Sequence, residues 1–505
     1  MANIRIMNKP EDYEILGVSR DRVEPWEDGC RNDDRAGAVE WWYFDAETDD
    51  GITVNVNFAT NPPTMRSNEP GYNPFVFYNV QFADGTCETD VIQVKASDCV
   101  LGKEQCDVHM GANYFCGDLK RYKLHIENPD SDITIDLTLE STAPAFRPGT
   151  AFFQLDNGDI FTWLCAVPRG NVVGTVTCGD QTIQINGRGY HDHQWGTAEN
   201  QEFWNRWFWG RQQVEGYTVL LFDFVSTRET GAVQFPVFAV IDPSGEVIIR
   251  NEERTSAVDI TIEGTRPEQG CGKPFPDKSR YVFQENDVSA VYELQSEQEY
   301  TCNNHYEVMD EAGKAVYDER GIYPTISRYY ATGRLILKRE NELILDASGR
   351  MHYEVESLYA NYILDATDRK AALDTDPAEV SRQMRADMAS KNVDDAKDLL
   401  DAADSPDYEL AGTYNALINT PMGKQKGKII FNVEGTTLTG TMDFMGRTYN
   451  VENGIATSQG YFFEINAKVL LRKMHATVRG TRSGDLINGT LTAPMGSIDF
   501  SGKRA

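Results

Sequence analysis

Ile52-Thr-Val-Asn-Val-Asn-Phe58 puts an apolar side chain at every second residue, with Thr53, Asn55 and Asn57 between them. A repeat of two is the signature of an extended chain whose successive side chains point to opposite faces. The same alternation returns in Tyr122-Lys-Leu-His-Ile126, in Ile133-Thr-Ile-Asp-Leu-Thr-Leu139 and in Val258-Asp-Ile-Thr-Ile262. The gaps carry turn-forming pairs: Asp84-Gly85, Asn157-Gly158, Asn186-Gly187, Ser244-Gly245, Glu263-Gly264 and Ser348-Gly349. Strands with one buried and one solvated face, joined by such turns, predict an all-β chain of antiparallel barrels or sandwiches.

The chain has 505 residues, too many for one ordinary core. The alternation stops at about residue 366. Beyond that point, Asp374 to Asp401 is rich in Ala, Asp, Lys and Arg, with Met384, Met388, Leu399 and Leu400 as apolar points, which predicts an acidic helical linker closed by Asp404-Ser405-Pro406. After it come short alternating runs separated by single glycines, in which Thr420-Pro-Met-Gly423 is echoed by Ala493-Pro-Met-Gly496. The expected division is therefore an N-terminal β-domain over 20–200, a second over 201–365, the linker over 366–406 and a small accessory β-barrel over 407–505.

Formal net charge is −30. Such an acidic surface repels phosphate backbones, and no basic patch is visible, so nucleic acid is not an expected partner. The nine cysteines are irregularly spaced and form no Cys-x-x-Cys, which fits reduced thiols and a cytoplasmic protein. Met1 to Leu16 has no apolar core of a signal peptide, and no apolar run is long enough for an integral membrane segment. A homo-oligomer is left open. No phosphate-cradling glycine motif stands in a strand–turn–helix setting, so no cofactor is expected.

Two stretches carry candidate chemistry: Glu40-Trp-Trp-Tyr-Phe-Asp45, and Tyr190-His-Asp-His-Gln-Trp-Gly196 with Phe203-Trp-Asn-Arg-Trp-Phe-Trp-Gly-Arg211 close behind. On a strand, Tyr190, Asp192 and Gln194 share one face, and His191, His193 and Trp195 share the other. Two histidines at i and i+2 could ligate a metal, but His109, His125, His305 and His352 read as isolated and supply no third ligand, so no metal is expected. His and Asp beside an indole suit proton transfer in an apolar cavity. Asp223, inside Tyr217-Thr-Val-Leu-Leu-Phe-Asp-Phe-Val225, must pair, protonate or face an opening if buried. Glu40 either anchors its strand or points into the cavity.

The Glu-Trp-Trp and His-Asp-His-Gln-Trp motifs, in this order and followed by Trp207 and Trp209, resemble the CrtC/AttH-like superfamily, over about residues 20–365. That group includes carotenoid 1,2-hydratases, kievitone hydratase-like enzymes and lipocalin-like Diels–Alderases. The resemblance implies two lipocalin-like β-domains with an apolar small-molecule pocket in or between them. From the hydratase branch it implies His193, Trp195 and Asp223 as the catalytic set. Where that branch has a Tyr two residues before the Asp, this chain has Leu221. From the cyclase branch it implies Glu40, with Asn73 or Asn79 as polar companion. The linker and third β-domain depart from two-domain members.

The leading expectation is a cofactor-independent hydro-lyase, adding water to or removing it from a C=C bond of a hydrophobic terpenoid, carotenoid, steroid or polyketide-like substrate. Asp223 would donate the proton, His193 would hold water, and Trp195 with Trp207 or Trp209 would stabilise positive charge. Trp41, Tyr43, Tyr190, His191, Asp192 and Asn79 complete the expected substrate-binding set. The alternatives are an isomerase or pericyclase, in which Glu40 matters more, and a lipocalin-like binding protein without chemistry. All of this presumes that His193 and Asp223 face one common hollow.

Overall fold

The computed structural model describes residues 3–62, 70–83, 87–128, 130–268, 272–306, 309, 311–364, 376, 378–380, 382–383, 405–420, 423–444, 447–469, 472–493 and 496–505. The fold is built mostly of β-strands, as the alternation predicts, and among the described residues every strand pairing is antiparallel. The helical linker expected over 366–406 lies largely outside the described residues.

Three sheets follow one another along the chain. The first has 14 strands; its main path runs Cys87–Gln93, Phe75–Gln81, Thr53–Ala59, Val39–Thr48, Gln181–Gly196, Leu164–Cys178, Ile133–Ser141, Arg121–Asn128, Asn113–Gly117, Cys106–Met110 and Cys99–Leu101. The second has nine, with Tyr217–Ser226, Trp204–Val214, Glu342–Tyr359 and Ile322–Arg339 consecutive near its centre. The third, from Gly412 to Arg504, closes on itself because Gly423–Glu434 pairs with both Gly412–Thr420 and Thr437–Phe444. Closure removes the unpaired edges that a free sheet would expose. A helix over Glu311–Arg320, not anticipated from sequence, precedes the Ile322 strand.

The first two sheets each curl around a core of their own. Trp42, Phe44, Val54, Val56, Phe58, Phe115, Tyr122 and Leu137 fill the first, and Phe208, Leu221, Phe238, Phe283, Tyr292 and Val355 fill the second. A further aromatic-rich cluster takes side chains from both sheets, including Trp41, Trp163, Tyr190, Trp204, Trp207, Trp209, Phe222 and Phe224. Edge-to-face pairs stitch it: Trp163 meets Phe222 at 4.9 Å, Phe153 meets Trp204 at 5.0 Å, and Tyr190 meets Trp209 at 5.5 Å between ring centroids. Each such pair adds about 0.5–1.5 kcal/mol beyond area burial. Strands at this seam are therefore buried on both faces, which is why Glu40–Asp45 and Trp204–Gly210 do not alternate with polar residues.

Candidate active site

The seam between the first two sheets opens into a cavity of about 560 Å³, within the range of about 300–1,000 Å³ usual for small-molecule sites. Which side chains reach it is set by strand register. Tyr43 lies opposite Asp192, Trp41 opposite Gln194, and Asp45 opposite Tyr190. Register partners share a face, and Trp41, Tyr43, Asp45, Asp192 and Gln194 all line the cavity. Gly187 and Gly189 let this strand run close to its neighbour, since a Cβ on Gly187 would lie 2.2 Å from the Glu47 carbonyl oxygen.

The opposite face belongs to the first core. His193 pairs with Trp42, Trp195 with Glu40, and His191 with Phe44. None of Glu40, His191, His193 and Trp195 lines the cavity. The His193 ring stacks on Trp42 at 4.6 Å, and its Nε2 is 2.8 Å from Glu40 Oε1. Glu40 also accepts the backbone N–H groups of Arg31 at 2.7 Å and Asn32 at 3.0 Å, so it ties the loop before the strand to the sheet. His191 lies 3.1 Å from Asp28. Burial works against its charged form, but the Asp28 carboxylate, the Tyr43 carbonyl and Asp192 together outweigh burial and the pKa rises. Trp195 packs on Leu164 and Ala166.

Asp223 is likewise turned away. It lies opposite Phe208, inside the second core, whereas Phe222 lies opposite Trp209 and lines the cavity. Its carboxylate is 3.1 Å from the Arg206 guanidinium and accepts from Gln234 at 2.9 and 3.0 Å and from the Tyr281 hydroxyl at 3.1 Å. Both Asp223 and Arg206 are fully buried. The expectation that His193 and Asp223 share a hollow is thus corrected by one residue of strand parity on each strand: they occupy two different cores.

Of the expected substrate-binding residues, Trp41, Tyr43, Asp192, Trp207, Trp209 and Asn79 line the cavity, together with Asn73. Tyr190 and His191 do not, although the Tyr190 hydroxyl donates to Asp192 at 2.7 Å. Trp163 Nε1 donates to the same Asp192 oxygen at 3.1 Å. Burial pushes the Asp192 carboxyl up to about 6, against the lowering effect of those two bonds.

The second sheet contributes residues the sequence reading passed over. Glu354 accepts from Trp207 Nε1 at 3.1 Å and from Arg328 Nε at 2.9 Å. Glu356, two residues on, lines the cavity and makes no side-chain hydrogen bond to another described residue. Burial, then the charge of Glu354, raises its pKa well above the ordinary value. His352, Glu354 and Glu356 alternate with Met351, Tyr353 and Val355, a pattern that reads as a solvated sheet face. The same holds for Asn55 and Asn57, whose face is the cavity wall. Among the described residues, Asn57 Oδ1 and Asn79 Nδ2 are buried without a hydrogen-bond partner.

No protein-family model matches the chain. It is 25% identical over 267 residues to the quinolone epoxide rearrangement protein asqO of Emericella nidulans, spanning 50% of this chain and 72% of that protein. It is 30% identical over 214 residues to hydroxyneurosporene dehydrogenase of Chlorobaculum tepidum, spanning 35% of this chain and 54% of that protein. Among solved structures, kievitone hydratase from Nectria haematococca covers 67% of this chain and 94% of its own at 12% identity and a TM-score of 0.42.

Proposed function

We infer that this chain, which is CrtC/AttH-like over about its first two-thirds and carries an extra C-terminal β-barrel, is a cofactor-independent enzyme that performs acid catalysis on a neutral, largely apolar small molecule in the cavity between its first two sheets. The observation that carries this reading is Asp192, a carboxyl on the cavity wall fixed by Tyr190 and Trp163 and pushed up to about 6. A group with that pKa holds a proton it can give at near-neutral pH, which is what a general acid needs.

The reaction we favour is hydration or dehydration of a C=C bond. In the hydration direction the Asp192 carboxyl gives its proton to one alkene carbon and becomes a carboxylate. Water then adds to the other carbon, and the proton that it sheds returns to Asp192. Trp41 from the first sheet and Trp207 and Phe222 from the second line the same cavity, and aromatic rings suit the cationic carbon formed between the two steps. Glu356, whose neutral form burial and the nearby Glu354 favour, donates a hydrogen bond to a substrate oxygen, and Asn57 and Asn79 offer amide groups to further polar atoms.

A second reading, rearrangement of an oxygenated ring, is favoured by the likeness to the quinolone epoxide rearrangement protein. It uses the same acid, with the proton going to oxygen instead of carbon. Incubation of prenylated aromatic and epoxide-bearing quinolone probes in D2O separates the two: hydration leaves one deuterium on carbon, rearrangement leaves none. In either case Asp192→Asn loses turnover and a folded Asp223→Asn keeps it. Turnover that survives Asp192→Asn would refute the assignment.

A further inference from the structure

Away from the cavity, on the outer face of the first sheet, three donors of different kinds meet. Cys106–Met110 and Asn113–Gly117 form a hairpin in which Asp107 is the register partner of Cys116, and His109 follows Asp107 by two residues. Cys106, Val108, Met110 and Phe115 fill the core, so Asp107, His109 and Cys116 share the outward face. His109, isolated in the sequence reading, has its Nε2 3.0 Å from Asp107 Oδ1 and 3.5 Å from Cys116 Sγ, and Cys116 Sγ is 3.4 Å from the same Asp107 oxygen.

Two readings of a Cys, a His and an Asp compete. A nucleophilic relay needs the thiol and the carboxylate on opposite ring nitrogens, so that one holds the tautomer that serves the other. Here both approach Nε2, which cannot serve two partners in that way. The three donor atoms instead form a small triangle around a common point. With Zn–S at about 2.3 Å and Zn–N and Zn–O at about 2.0–2.1 Å in a tetrahedron, ligand atoms stand about 3.5 Å apart for S···N and S···O and about 3.3 Å for N···O. The observed sides, 3.5, 3.4 and 3.0 Å, match that triangle to within a few tenths of an ångström.

We propose that Asp107, His109 and Cys116 bind a divalent zinc-type cation, with a fourth position open to water. Thiolate, imidazole and carboxylate together suit zinc better than the hard cations that prefer oxygen alone. The His109 and Asp107 side chains are 43% and 46% exposed, so an ion can enter from solution without local unfolding. A formal charge of −30 favours cation capture generally. A second trio, Asp28, Cys106 and His191, also clusters, but it is fully buried and its Asp28 already accepts from Tyr122 at 2.6 Å. The site does not depend on the function proposed for the cavity.

The test is Co2+ titration of the full chain after chelation and reduction. One Co2+ per chain is expected, with a thiolate-to-cobalt charge-transfer band that Zn2+ abolishes by displacement. Cys116→Ser removes the band, and His109→Gln weakens Co2+ binding by about tenfold or more, since losing a direct ligand should cost at least as much as losing a group behind one. Both substitutions sit on a partly exposed face, and circular dichroism checks that each variant is folded. A band that persists in Cys116→Ser, affinity unchanged in His109→Gln, or no cobalt–thiolate band in the unaltered chain overturns the proposal.

Discussion

Asp192→Asn should stabilise the protein at alkaline pH while removing its activity. The Asp192 carboxyl is pushed from its ordinary value of 3.8 to about 6, chiefly by burial. At about 1.4 kcal/mol per pH unit, the difference of roughly two units makes the ionised carboxyl about 3 kcal/mol harder to hold in the fold than in the unfolded chain. Because the folded-state value is the higher one, the favourable contribution is complete below 3.8 and is lost as pH rises through about 6. Asparagine keeps the acceptor for Tyr190 and Trp163 but carries no charge, so the variant does not lose it. The two proteins should unfold at similar temperatures near pH 4. By pH 8 the variant should be ahead by about 4 °C, taking the roughly 350-residue unit that holds both sheets and an unfolding entropy of about 2.1 cal/mol/K per residue. Thermal unfolding followed by tryptophan fluorescence at pH 4, 6 and 8 reads this directly, because the indoles cluster at the seam. A melting difference that does not grow between pH 4 and 8, or a variant uniformly less stable, would show that the carboxyl is not held protonated, and the general-acid assignment would fall with it.

Asp223→Asn leaves the Arg206 guanidinium buried without its ion partner and should cost about 3–5 kcal/mol in urea unfolding; a loss under about 1 kcal/mol would mean that the pair is not the core element described. Where the variant folds, it should still retain cavity ligands, as followed by native mass spectrometry. Glu356→Gln should change stability by less than about 1 kcal/mol at pH 7, because burial and the nearby Glu354 favour the neutral carboxyl, which a neutral amide of like shape replaces; strong stabilisation would instead reveal that Glu356 is ionised there.

The sequence made the strands legible because a repeat of two leaves little choice wherever one face is wet, as along Ile133–Leu139. It also located the segments around the cavity: Trp41, Tyr43, Asp192, Trp207 and Trp209 all reach it. What it left open was the direction in which each segment faces. Alternation separates two faces by polarity, and at the seam that contrast disappears. The Val39–Thr48 strand has a barrel core behind it and a second sheet in front, so both faces are apolar and the parity of Glu40 against Trp41 carries no label. Buried polar residues deepen the ambiguity, because a charge needs a partner on either side. Asp223 finds Arg206 inside the second core, His193 finds Glu40 inside the first, and Asp192 finds Tyr190 at the cavity. Each partner comes from another strand or from two residues away, in a register that only the folded ladder fixes. The converse error concerns Asn55 and Asn57, whose regular polar alternation signals a solvated face; Glu354 and Glu356, not singled out from the sequence, follow the same pattern. The cavity supplies such a face within the molecule, and for that reason the polar residues of the site were hidden in the most ordinary-looking strands of the chain.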